Sequence, residues 1–275
     1  MGSLLLALGA SLAWGVGDFF GPLVSRTLGS LRVIFWGQVG GVLAIALAVG
    51  VRGEGPRGWA VLFACAAALG GMVGLFAYYQ GMVEGAMSVV APIAGVSAVV
   101  PVIFGIATGD SPSGAQIAGI ACALGGVALA SIEHHEGSPR VAAGVGLALL
   151  AALGFGFYFP WMHAAGKVDF WWASLVFRST ALLLLVAVVS NRRTPLRLRP
   201  RDLLIAAAVG IADTFGNVLF AASSGHGLVS LTSVLASLYP VVTVLLAATV
   251  LHENVARWQK SGIVLTLTGV VLISF

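Results

Sequence analysis

Asp18 lies in the stretch AWGVGDFFG, residues 13 to 21, between aromatic residues and inside an apolar run from Ser3 to Val24. A second carboxylate, Asp213, stands near the middle of another apolar run, and one guanidinium, Arg178, near the middle of a third. An ionisable group at such a position is costly in hydrocarbon and faces a bundle interior or a wet cavity. Four-residue spacing puts Trp14 and Asp18 on one helix face and Asp213 and Asn217 on another. A carboxylate beside π faces suits the role of counter-ion, to a cationic group on a solute or to a proton. Each aspartate has a structural alternative, neutralising Arg178 or capping a helix broken by proline. For Arg178 the reading is a structural ion pair. Gln38 and Gln80 lie within or near the ends of other apolar runs, Glu84 reads as a loop carboxylate, and His163 beside Trp161 reads as interfacial.

Aromatic residues gather on the same runs. Trp14, Phe19, Phe20, Tyr78, Tyr79, Phe155, Tyr158, Trp161 and Tyr239 make a set whose π faces can line a cavity for an apolar or cationic solute. Trp59, Trp171, Trp172 and Trp258 fit the belts that mark the two membrane interfaces. Pro92 and Pro101 interrupt one run, and Pro240 follows Tyr239 in another, which frees backbone carbonyls towards such a cavity.

Enzymatic chemistry finds little support. There is no HExxH, no phosphate-binding glycine loop and no CxxC pair, so no catalytic residue, metal ligand or cofactor is expected. His134 and His135 lie with Glu133 and Glu136 in a hydrophilic hairpin, which reads as solvated, and Cys65 and Cys122 read as small core residues. Only Asp18 with Asp213 offers a carboxylate pair for intramembrane hydrolysis. No ring of like charges marks a channel filter.

What positions these residues follows from composition. Apolar residues make up 59% of the 275 and charged ones 9%, and mean hydropathy is +1.03, which places the chain in a membrane. Ten spans of about 20 residues, enough to cross the hydrocarbon as helices, fall at roughly 3–24, 30–50, 58–80, 86–108, 113–132, 141–163, 170–190, 202–222, 228–250 and 257–275. Short connections such as RGEGPRG, TGDSPSG and NRRTPLRLRP separate them. The 37 glycines suit helices that pack closely in lipid. A removable signal peptide is not expected, because the first run lacks a basic flank.

The chain also repeats. VSAVVPVIFGI in the fourth span aligns with LASLYPVVTVLL in the ninth by matching Pro101 to Pro240, an offset of 139 residues, and the same offset brings WGVGDFF against GFGFYFP. The fifth and tenth spans align through Gln116 with Gln259, Gly119 with Gly262 and Gly126 with Gly269. Two five-helix halves follow, 1–136 and 141–275. Because five is odd, the second enters the membrane from the opposite side, and the fold class is all-α with two inverted repeats, an arrangement that transporters use.

These residues resemble the EamA family of the drug/metabolite transporter superfamily. The resemblance rests on the two five-helix halves, the Trp-Gly pair in the first helix, the mid-helix prolines of the fourth and ninth, and LHENVARWQKSGIVLTLTGVVLI near the end. In the first half the family's helix-end glutamate is missing and Asp110 stands nearby. The resemblance implies a small organic solute, such as an amino acid or another metabolite, moved through a central cavity, with the fifth and tenth helices peripheral.

The expected function is secondary active export of amino acids or similar small amphiphilic metabolites by alternating access. The alternative is a carrier of cationic amines or drugs coupled to protons through Asp18. Expected substrate-binding residues are Trp14, Asp18, Tyr78, Tyr79, Tyr158, Trp161, Asp213, Asn217 and Tyr239, with Pro92, Pro101 and Pro240 as conformational points. A proton or solute gradient supplies the energy, a monomer suffices, and the partners are the solute and the lipid bilayer of a bacterial-type inner membrane. Arg52, Arg57 and Lys167 fall on the side of the termini. Arg26, Arg32, Arg140, Arg192, Arg193, Arg197, Arg199, Arg201, Arg257 and Lys260 fall on the other. Cytoplasmic loops collect Lys and Arg, so this bias puts both termini outside, whereas the resemblance implies termini inside. The arginine-rich loop reads as a connector touching anionic lipid headgroups and not as a nucleic-acid site.

Overall fold

A computed structural model describes residues 2–56, 58–84, 90, 94–130, 140–250 and 257–275, and every regular element among them is helical. The order is α1 (Gly2–Leu28), α2 (Ser30–Arg52), α3 (Ala60–Glu84), a 3-10 turn (Val96–Ala98) leading into α4 (Val99–Ala107), α5 (Gly114–Ala130), α6 (Arg140–Arg192), α7 (Pro200–His226), α8 (Val229–Ala236), α9 (Tyr239–Val250) and α10 (Arg257–Ile273). Six stretches are long and apolar enough to cross a membrane: Gly2–Leu28, Ser30–Arg52, Ala60–Met82, Gly146–Arg192, Pro200–His226 and Val229–Val250. Leu5, Leu43, Leu47, Leu62, Leu183 and Leu204 are exposed on these helices, a surface that suits lipid.

At 53 residues, α6 as one rod would be about 80 Å long, far beyond a hydrocarbon core of roughly 30 Å. It turns back instead. Asp169 leaves the helical region, with φ −162° and ψ 106°, and divides the element into limbs at 140–168 and 170–192. Its Oδ1 accepts hydrogen bonds from the backbone N–H of Trp171 (2.9 Å) and Trp172 (3.1 Å), which caps the second limb. Arg52, at the end of α2, donates to the same carboxylate at 3.0 Å.

Proline shapes the helices around α4 and α9. Pro240 has no N–H to donate to the Ala236 carbonyl, and the helix breaks there, α8 ending at Ala236 and α9 starting at Tyr239. The 3-10 turn Val96–Ala98 precedes Pro101 in the same way. Pro92, the seam between 136 and 141 apart from Arg140, and the Glu133–Glu136 hairpin lie outside the described residues.

Contacts fix the two ends of the bundle. At one end Ser223 Oγ donates to Ser3 O (2.6 Å), and the Asp110 carboxylate accepts from Ser230 N–H (2.8 Å) in the first turn of α8. At the other, Arg32 Nε donates to Pro195 O (2.7 Å) and Trp36 Nε1 to Leu196 O (2.8 Å). α1 runs from the first end to the second. The first limb of α6 runs the opposite way and brings Gly166 against Ala221.

Small residues let the backbones meet. A Cβ on Gly154 would lie 2.5 Å from Gly74 N, which locks α6 to α3, and one on Gly119 would lie 2.9 Å from Gly269 O, which locks α5 to α10. Gln116, matched to Gln259 by the repeat, closes a capping box at the start of α5: Ser113 N–H donates to Gln116 Oε1 (2.9 Å) and Gln116 N–H to Ser113 Oγ (3.2 Å).

Candidate functional site

Eight helical segments meet around one pocket. Trp14 and Asp18 reach it from α1, Gln38 from α2, Met72 from α3, Ser97 from the turn before α4, and Tyr158 from the first limb of α6. Phe177 and Arg178 come from the second limb, Asp213 and Asn217 from α7, and Tyr239 from the start of α9. Among the described residues, α5 and α10 supply none of its lining. Ser97 of the 3-10 turn and Tyr239 at the start of α9 both border it, so the two proline-bearing segments reach the same space.

Charge in the pocket is arranged unequally. The Arg178 side chain is 1% exposed. Its Nη2 donates to Asp213 Oδ2, its Nη1 to Gln38 Oε1 (3.0 Å), and its guanidinium lies 5.6 Å from the centre of the Phe177 ring, while Nε has no partner among the described residues. A buried guanidinium of this kind is tolerable only because a carboxylate neutralises it. Asp213 keeps a quarter of its side-chain surface exposed. Asp18 joins no ion pair among the described residues. Of the partners open to Arg178, the fold selects Asp213.

A neutral polar pair completes this wall, the Tyr158 hydroxyl donating to Asn217 Oδ1 at 2.7 Å. Ser97 Oγ and the Tyr239 hydroxyl are buried without partners among the described residues, although both residues line the pocket. Trp14 serves two purposes: it lines the pocket, and its ring also packs against Tyr158, Phe159 and Phe220 at 6.1, 6.1 and 5.9 Å.

Three expected site residues sit off the lining. Tyr78 is fully buried behind Phe155, 5.9 Å between rings, and Tyr79 turns its hydroxyl onto Gly21 of α1. Trp161 packs between Phe63 and Phe157, 5.7 Å from each. His163, read as interfacial, is 8% exposed. The pocket gains Met72, Ser97, Phe159, Phe177 and, as a lining residue, Gln38. A signal for two of these was present: the 139-residue offset carries Gln38 onto Phe177, and both line the pocket.

A sequence model of the EamA-like transporter family matches residues 1–132 and again residues 142–275. No curated protein matches the chain. One solved crystal structure superposes with a TM-score of 0.74 at 18% identity, covering 98% of this chain and 95% of the other, a likeness that shows the fold alone.

Proposed function

Because the chain belongs to the EamA-like transporter family, we propose that it is a secondary active transporter exporting amino acids or similar small amphiphilic metabolites by alternating access. In this reading the chain crosses the membrane ten times as two inverted repeats, 1–136 and 141–275, and works as a monomer. The observation that carries it is the pocket itself, where side chains of both repeats converge on aromatic faces and, among the described residues, on hydroxyls without partners and one carboxylate without a cation. Discontinuous helices bordering a central site are how such carriers present polar groups at mid-membrane depth.

The proposed roles follow from the geometry. Trp14, Tyr158 and Tyr239 offer π faces to the solute, and Asp18 holds its ammonium or a proton. Asp213 and Asn217 keep Arg178 and Tyr158 in place and form part of the wall. Tyr78, Tyr79 and Trp161 support the lining from behind. Pro101 and Pro240 are the points at which the fourth and ninth crossings bend. Asp18 presents its carboxylate to the pocket, where an ammonium or a proton neutralises it. Competition of the two for one carboxylate gives antiport, driven by a proton or solute gradient across an inner membrane of bacterial type. The second reading, a carrier of cationic amines or drugs coupled to protons through Asp18, is favoured by the pairing of Arg178 with Asp213, which leaves the pocket no unpaired cation among the described residues for a solute carboxylate.

Reconstituted protein tests both. Candidate amino acids and amines are screened for thermal stabilisation, which a ligand of the folded state produces by mass action, and hits are followed as exchange across vesicles of varied pH. Exchange of amino acids supports the first reading, and exchange of amines alone the second. Asp18→Asn is expected to fold and to lose the pH dependence of exchange; exchange by that variant with an unchanged pH profile defeats the role given to Asp18. Labelling of single cysteines placed at Ser3 and at Arg197 tests the orientation, with Ser3 reactive from outside the cell.

A further inference from the structure

The ten residues from the end of α6 to the start of α7 carry five arginines, Arg192 and Arg201 inside the two helices and Arg193, Arg197 and Arg199 between them. The segment between the helices is held as a strap. Arg32 Nε bonds the Pro195 carbonyl at 2.7 Å and Trp36 Nε1 the Leu196 carbonyl at 2.8 Å, so two consecutive carbonyls are pinned to the side of α2. Arg199 is extended, with φ −69° and ψ 151°, and in extended chain successive side chains point to opposite faces. Leu196 and Leu198 accordingly turn inward and are half-buried, Leu196 against the main core, while Arg197 and Arg199 are exposed. Arg193 takes the left-handed conformation, φ 49°, and is exposed, as is Arg201. None of Arg193, Arg197, Arg199 and Arg201 joins an ion pair among the described residues. Asp202 is the only acidic residue in this stretch.

We infer that this strap is a binding site for the headgroups of anionic phospholipids. Arginine forks match phosphate oxygens bidentately and are weakly hydrated for a cation. The rack stands at the end of helices long and apolar enough to cross a membrane and beside Trp36, whose indole N–H bonds the strap, a residue type favoured where apolar and wet surroundings meet. Pinning by Arg32 and Trp36 holds the backbone that carries the arginines, so binding a lipid orders their side chains and not the loop as well, which separates a built site from a loose basic tail. The site owes nothing to the central pocket and takes no part in solute recognition.

The test uses delipidated full-length protein in neutral detergent and follows thermal stability against added short-chain phosphatidylglycerol, phosphatidylcholine or inorganic phosphate. Phosphatidylglycerol is expected to stabilise, and the other two are not. The doubly substituted Arg197→Gln, Arg199→Gln protein is expected to need roughly 25-fold more phosphatidylglycerol, about fivefold per arginine. A control pair with the same change of charge at the same end, Arg257→Gln with Lys260→Gln, is expected to behave as the wild type. Equal loss in both pairs assigns the effect to diffuse charge and overturns the proposal, and so does stabilisation by inorganic phosphate as strong as that by the lipid. Because Arg197 and Arg199 are exposed, their replacement leaves the fold intact, and Arg193→Gln provides an independent third point on the same strap.

Discussion

Arg178 is paired with Asp213 across the second limb of α6 and α7, and Asp18, which lines the same pocket, joins no ion pair among the described residues. The two aspartates therefore differ in kind although both lie at mid-helix. Asp213→Asn strands a guanidinium that is 1% exposed. Removing one partner of a buried pair costs 3–5 kcal/mol, and the residual exposure of Asp213 argues for the lower end, about 3 kcal/mol. Asp18→Asn removes no ion pair and should change stability by less than about 1 kcal/mol. Thermal unfolding of both variants in one detergent decides it; equal losses would place Asp18 in the structural network after all.

Two tyrosines that line the pocket give a second contrast. The Tyr158 hydroxyl bonds Asn217, which is buried, so Tyr158→Phe leaves the amide short of a partner and should cost about 1–3 kcal/mol. The Tyr239 hydroxyl has no partner among the described residues, so Tyr239→Phe should be neutral or slightly stabilising in the empty protein. If that hydroxyl meets solute, the same variant should bind a screened ligand about five- to tenfold more weakly, the worth of one hydrogen bond. A Tyr239→Phe protein with unchanged affinity would show that the solute contacts the ring alone.

Close approach of α3 and α6 makes a third prediction. Gly154→Ala drives a methyl group into the backbone of Gly74, and the helices must separate, at about 1–3 kcal/mol. Gly146, earlier on the same helix, has nothing within 4 Å of the added carbon, so Gly146→Ala should be neutral or mildly stabilising. Similar unfolding temperatures for the two variants would mean that this helix contact is not tight.

Much of this organisation was legible in the chain. Hydropathy and the Pro101–Pro240 match announced a helical membrane protein with two related halves, and the four-residue spacings put Trp14 with Asp18 and Asp213 with Asn217 on faces that do line the pocket. Partner choice was not legible. Whether Arg178 meets Asp18 or Asp213 depends on the rotation of three helices about their axes, and no single apolar run records it. Tyr78, Tyr79 and Trp161 read like cavity residues because an aromatic side chain near mid-helix looks the same whether it lines a pocket or backs the wall. Gln38 and Phe177 were missed as a pair because their chemistry differs, although their positions in the two repeats correspond.

The last prediction concerns the corner between the limbs of α6, outside the membrane crossings. Burial alone would push the Asp169 carboxyl up, but the hydrogen bonds from Arg52 and from the N–H groups of Trp172 and Trp171 outweigh it and hold it below its usual range. A carboxyl depressed in the folded state contributes stability that is fully present above its unfolded value, about 3.9, and is lost as pH falls through the folded value. The protein should therefore lose stability on acidification below about pH 4 as this corner protonates. Asp169→Asn should be less stable at neutral pH by about 1–2 kcal/mol, having lost the ion pair with Arg52 and weakened the cap of the second limb. Its acid arm should also be flatter than that of the wild type. Unfolding temperature measured from neutral pH downwards in both proteins checks each half, and parallel curves would show that Asp169 is not the group that titrates.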